Sequence, residues 1–305
     1  MIEQTNYSEM RRDFYEKYQK NIVPEVRKFE KERKIKLIFA IISATILSII
    51  GFSLLILTDY NSDGIQGAIF FFSFAWGAWL FIKKGFECKI KQKIMPIVCS
   101  CFENLQWTSD YYLSGEYLEA SGVVPKYTTD SYDDIFSGVH RGVDIEMVEC
   151  ELLRGSGKNR TTVFDGVVVR LDMNKKFKSH TVVTPNALFH FSPVSGLRQT
   201  TLEDVQFEKK FDVFTNDEVE ARYLITPTFM ERLMGVQTAF HANKISCAFY
   251  GKYLLVGLNT NKDLFSICSL VKPMDDSQQY FQMYEEIASI IKLIDYFKLD
   301  QKIGL

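Results

Sequence analysis

Two long uncharged apolar runs lie close together near the start of this sequence, and they constrain everything after them. Leu37–Thr58 has no charge between Lys36 and Asp59, and Gly64–Ile82 has none between Asp63 and Lys83. A bilayer core is about 30 Å thick, so a crossing helix needs roughly 20 apolar residues. Both runs meet that length. In lipid every backbone N–H must be paired within its own segment, which makes each run a helix. Two buried core helices are the competing reading, but core helices are amphipathic and these runs are apolar all round. A cleaved signal peptide does not fit either, because a charge-rich stretch of 36 residues comes first. Joined by the five-residue link Asp59–Asp63, the runs read as a transmembrane hairpin.

The flanks set its direction. Seven bases lie between Lys20 and Lys36: Lys20, Arg27, Lys28, Lys31, Arg33, Lys34 and Lys36. Five more follow the second run: Lys83, Lys84, Lys89, Lys91 and Lys93. The link carries two aspartates and no base. Lys and Arg stay on the cytoplasmic side, so both termini are expected there. No Asp, Glu, Lys, Arg or His lies within either run, which disfavours a proton or ion path through the hairpin. The flanks also repeat each other. Met10, Phe14, Tyr18, Ile22 and Val26 make one helical stripe, and Phe86, Ile90, Ile94, Val98 and Phe102 make another. Phe14, Lys17, Tyr18, Ile22, Pro24 and Val26 match Phe86, Lys89, Ile90, Ile94, Pro96 and Val98 at an offset of 72. The stripes can pair as an antiparallel stalk or pack on the rest of the chain. Pro24 and Pro96 lack an N–H and are expected to kink or interrupt their helices.

The resulting plan is a cytoplasmic amphipathic helix over 1–36, the hairpin over 37–82 (spans 37–58 and 64–82), a cytoplasmic helix over 83–106 and a soluble domain over 107–305. Within that domain Val143–Leu153 alternates in part, with Val143, Ile145 and Met147 opposite Asp144 and Glu146. A Gly-rich turn at Arg154–Arg160 leads into Thr162–Leu171, a hairpin. Thr181–Thr184 and Phe211–Phe214 are short strands. Thr226-Pro227 starts a helix that ends near Phe240. Ile245–Phe249 and Tyr253–Leu258 flank the turn Tyr250-Gly251-Lys252 as a second hairpin. Ser277–Leu299 is an amphipathic helix. Antiparallel strands with late helices give an α+β domain, whose element order resembles pleckstrin-homology-like domains.

Net charge is −2 at pH 7, which gives no general case for nucleic-acid binding. Cys88, Cys99, Cys101, Cys150, Cys247 and Cys268 show no disulfide-framework spacing, as in a reducing cytoplasm. Motifs that carry chemistry fail in detail. Arg154-Gly155-Ser156-Gly157-Lys158 is not a phosphate loop, because Leu152 stands at the first Gly position and Asn159 follows the lysine. His140, His180, His190 and His241 lack ligand spacing on one element, although His180 and His190 could meet across strands. Cys99 and Cys101 fall on different helix faces. Asp130, Asp133 and Asp134 form an acidic loop, able to hold a divalent cation or simply solvated. Glu218, Glu220 and Arg222 are the polar cluster of interest, with Glu218 and Arg222 spaced for a helix salt bridge. No catalytic, cofactor-binding or metal-ligating set is assigned.

Several segments resemble the uncharacterised bacterial membrane family called domain of unknown function 3137. They are Phe207–Phe214, Asp217–Pro227 and Met230–Leu233, supported by Ser121-Gly122 with Pro125, Phe164-Asp165-Gly166, Asn174–Phe177 and Asp263-Leu264-Phe265. The paired spans and the Phe14-to-Pro24 segment are also similar. The resemblance implies a bacterial inner-membrane protein with a cytoplasmic domain and no established activity. It further implies a LemA-like membrane protein as a partner. The expectation is a non-enzymatic, membrane-anchored interaction module that contacts a membrane protein or itself. A membrane-face enzyme and a small-ligand sensor are the alternatives.

Overall fold

A computed structural model describes residues 11–102, 104–108, 115–187, 192–240, 242–262, 264–267 and 269–297. The chain divides into two compact units, Met1–Cys101 with Ser266–Gln282, and Phe102–Phe265 with Met283–Leu305.

The first unit is built on helices α1 (Arg11–Leu57) and α2 (Ser62–Cys99), both long and apolar enough to cross a membrane. Only 11% of each apolar window is buried, so neither is the core helix of a globular domain. Ile38, Phe39, Ile46, Phe70, Phe74 and Phe81 are among the large side chains left exposed. Small residues lie where the helices meet: Ala40, Gly51, Ala68 and Ala75 are buried, and a Cβ on Gly51 would sit 3.5 Å from the Cβ of Phe71. Small side chains let backbones approach closely, which is how apolar helices associate where lipid is as apolar as they are. The hydroxyls of Ser43 and Thr45 donate to Ala40 O and Ile41 O of their own helix. At the turn, Asp59 and Tyr60 take positive φ and Asn61 Oδ1 accepts from Gly64 N at 2.9 Å. Gly64 is required there, since a Cβ would lie 1.7 Å from Thr58 Oγ1.

Each flanking stripe runs unbroken into its span rather than forming a helix of its own. The proline expectation is met in a milder form. The ring of Pro24 would strike the carbonyl four residues back, and a single π turn at Tyr18–Ile22 widens the backbone there. Pro96 falls in the last turn of α2. Phe14, Tyr18, Ile22 and Val26 are buried, as are Phe86, Ile90, Ile94 and Val98. The two stripes pair: Lys89 bonds Glu32 at 2.8 Å and lies over the Phe29 ring, and Lys36 lies over the Phe86 ring. Phe281 meets Phe14 edge-on at 5.1 Å, so the stalk also takes part of the returning segment. Arg33, one of the flank bases, is buried. It bonds both oxygens of Glu30 at 2.7 Å and the carbonyl of Leu270 at 2.9 Å.

The second unit is an α+β domain. In chain order it holds β1 (Gln106–Thr108), α3 (Gly115–Ser121), β2 (Thr129–His140), β3 (Val143–Arg154), β4 (Thr161–Asp172), β5 (Thr181–Pro185) and β6 (Arg198–Thr200). Then come α4 (Val205–Glu208), β7 (Phe211–Thr215), α5 (Glu218–Leu224), α6 (Pro227–Ala239), β8 (Lys244–Tyr250) and β9 (Tyr253–Asn259). Helix α7 (Ser277–Phe297) begins in the first unit and ends in this one. The described strands form one antiparallel sheet in the order β1-β2-β3-β4-β9-β8-β5-β7-β6. The two expected hairpins are present as β3–β4 and β8–β9, the latter closed by Gly251-Lys252. Thr226 caps α6 by accepting from Phe229 N at 3.2 Å.

One expectation is overturned. Asp130, Asp133 and Asp134 do not form a loop; they lie in β2, paired to β3 with a register shift between Tyr132 and Ile135. A bulge re-aims a strand's side chains, which is how Asp134 comes to be fully buried while Asp133 stays exposed.

Candidate functional site

One face of the sheet changes character along its length. Ile135, Val148, Cys150, Leu152, Val168 and Leu255 form an apolar core there, roofed by Leu118 of α3 and by Val123 and Val124. Side chains two residues apart on a strand share a face. Continuing by twos leads from Val148 to Glu146 and Asp144, from Val168 to Arg170 and Asp172, and from Leu255 to Tyr253. Register sets Ser137 beside Glu146, Glu146 beside Arg170, and Asp172 beside Tyr253. The polar end borders a cleft of about 390 Å³.

Its charges are mostly paired. Glu146 forms an ion pair with Arg170, and Asp172 with Lys252. Arg170 and Lys252 both lie over the Tyr253 ring, at 4.7 and 5.1 Å from its centroid. Glu146 is only 5% exposed. Burial pushes its carboxyl above the usual carboxylate range, and Arg170 offsets part of that rise. For Asp172, burial acts upward but is outweighed by Lys252 and by the Asn174 N–H at 2.9 Å, so its carboxyl ends lowered. Lys252 is held in place by its own backbone: Met173 N donates to Lys252 O and Phe177 N to Gly251 O. Those bonds bring Lys175 and Lys176 to a second, adjoining cleft of about 580 Å³ that shares Asp172, Lys252 and Tyr253. Tyr117 walls it, and burial pushes the Tyr117 phenol up to about 12.

The residues singled out from sequence lie elsewhere. Glu218 and Arg222 are exposed on α5 and form no ion pair with each other among the described residues. Glu220 has a defined role. Its carboxylate accepts from the amides of Lys178, at 3.1 Å, and Ser179, tying the loop before β5 to α5. Burial pushes Glu220 up, but those two amides and the Ser179 side chain together prevail and hold it low. His180 Nε2 donates to Ser121 O, 2.8 Å away, and burial holds its imidazole below the usual range. Its proposed partner His190, like His241, lies outside the described residues. Cys99 and Cys101 are both buried, and burial pushes the Cys101 thiol up to about 11. The Gly155–Lys158 segment is an exposed turn of the β3–β4 hairpin.

The acidic group on β2 does gather ligand-type oxygens. Asp133, Asp134 and Glu149 each bring one within 4.8 Å of the others. Protein donors already reach it: Trp107 Nε1 donates to Asp134 at 2.8 Å, and Leu264 N donates to Glu149 at 2.6 Å. The cleft residues escape sequence reasoning because four strands contribute them. The available signal was the alternation of Asp144 and Glu146 with Ile145 and Met147, which assigns them to solvent. For Glu146 that is wrong.

Residues 162–299 match the family described as "Protein of unknown function (DUF3137)". The match takes in Arg170, Asp172, Lys252 and Tyr253 of the cleft; the spans and Glu146 lie before it. No curated protein matches. A solved structure, the crystal structure of the mycobacterial trehalose monomycolate transport factor A, TtfA, is 9% identical and covers 54% of this chain and 73% of that one. Its TM-score is 0.30, too low to bear on fold or function.

Proposed function

We propose, on the premise that residues 162–299 form a domain of the DUF3137 family, that this chain is a membrane-anchored, non-enzymatic binding module. Its working surface is the cleft at the open end of the sheet. The observation that carries the anchor is the pair α1 and α2, whose apolar windows are only 11% buried. Moving that much apolar surface out of water favours lipid at about 25 cal/mol per Å². The lysine-rich flanks support a topology with both termini on the cytoplasmic side of a bacterial inner membrane. Tethering raises the effective concentration of the domain for other membrane-bound partners, among which a LemA-like protein or a second copy is expected. The cleft supports binding rather than turnover in this reading, because four of its charged groups are held in two opposite-charge pairs around one aromatic ring, leaving Asp144 at its edge. Carbonate washing should leave the protein in the membrane pellet. Crosslinking of native membranes should recover a reproducible partner, and the yield should fall when Lys252 or Tyr253 is replaced by alanine. Release by carbonate, or partner recovery indifferent to both substitutions, would sink the proposal.

A further inference from the structure

We infer that the acidic wall of the cleft, Asp144 and Glu146, takes the primary ammonium group of a small ligand; this rests on the cleft being the working surface proposed above. Buried carboxylates are expected to have hydrogen bonds on their oxygens. Glu146 is 95% removed from solvent, yet its Oε1 has no hydrogen-bond partner among the described residues. Asp144 stands two residues before it on the same face of β3, exposed and lining the same cleft. The cations lining this cleft are committed, Arg170 to Glu146 and Lys252 to Asp172, and both lie over Tyr253; Lys175 and Lys176 line the adjoining cleft. The lining therefore sets three carboxylates, Asp144, Glu146 and Asp172, against two cations, a surplus of one negative charge.

The chemistry that matches is a positive group rich in donors. An ammonium has three N–H donors and no acceptor, so its chemistry matches the unpartnered Glu146 Oε1 and the exposed Asp144 carboxylate beside it. A bare divalent cation fits less well, since it wants several close oxygens and Arg170 stands beside the wall. Among the described residues the carboxylates close enough to hold a metal are Asp133, Asp134 and Glu149, not this pair. At about 390 Å³ the cleft is near the lower end of ligand pockets, which limits the ligand to a small molecule or a headgroup.

The test uses the full chain in phosphatidylcholine nanodiscs, titrated with ethanolamine and putrescine, and with acetate and inorganic phosphate as anionic controls. At least one amine should bind saturably. Glu146→Gln should weaken it at least about tenfold and Asp144→Asn about threefold, as expected for a lost charged hydrogen bond. Asp144 is exposed, so its variant keeps the test valid if Glu146→Gln lowers folding. Replacing part of the lipid by phosphatidylethanolamine separates the sources: competition with ethanolamine marks a lipid headgroup, and no competition marks a soluble amine. Absence of amine binding, or equal affinity in both variants, overturns the inference. Phosphate binding without amine binding overturns it as well, while leaving the cleft itself as a binding surface.

Discussion

Two glutamates differ in burial, and their titrations should run in opposite senses. Burial raises Glu220, but the Lys178 and Ser179 amides and the Ser179 side chain outweigh it, so its stabilisation is present above the ordinary carboxylate range and lost as pH falls through its folded value. Glu220→Gln should cost about 1–3 kcal/mol at neutral pH, the price of leaving amides poorly matched, and converge on wild type in acid. Glu218→Gln and Arg222→Gln, both on exposed positions, should stay within about 0.5 kcal/mol. Glu146 is raised, so the folded protein holds its proton more tightly than the unfolded chain. Its carboxylate therefore costs stability as pH climbs from the ordinary carboxylate range through the folded value. Glu146→Gln removes that slope. The difference in thermal midpoint, variant minus wild type, should rise from pH 4.5 to pH 7.5. A difference that falls over that interval would refute the assignment.

At the scale of elements, the stalk distinguishes two kinds of charge. Lys28 and Glu25 form an exposed pair on α1, worth little in water. Arg33 is buried and satisfied by Glu30 and by Leu270 O, and removing one partner of such a set leaves the rest stranded. Arg33→Ala should lower stability by about 3–5 kcal/mol, and Lys28→Ala by less than about 0.5 kcal/mol, read by thermal melts in detergent. Arg33 was counted from sequence as one of seven flank bases, because a charge count carries no information about burial. The stalk stripes themselves were readable, since four-residue periodicity is local. So were the hairpins β3–β4 and β8–β9 and the Thr226 cap. Strand β2 was not: Asp130, Asp133 and Asp134 read as a loop, and the pairing with β3 that overrides them is made across the sheet. The cleft failed to show for the same reason. Glu146, Arg170 and Tyr253 become neighbours only once β3, β4 and β9 are in register.

Across the whole molecule, thiol chemistry can report where each part sits. Cys88 is exposed, whereas Cys99, Cys101, Cys150 and Cys247 are buried, and burial pushes the Cys150 thiol up to about 12. The thiolate is the reactive form, so the buried set should resist alkylation. With Cys268 replaced by serine, a membrane-impermeant maleimide should label Cys88 in inverted vesicles and leave it unlabelled in intact cells. Labelling of intact cells would reverse the orientation.

The turn between the two spans bears on what the molecule can sense. Asn61 and Gly64 close it tightly, so in the proposed topology only a few residues face the far side. A loop that small is expected to offer little surface on which an outside signal could be read. In the proposed topology, whatever this protein answers to is expected to arrive from the compartment that holds its sheet, or through the lipid around its helices.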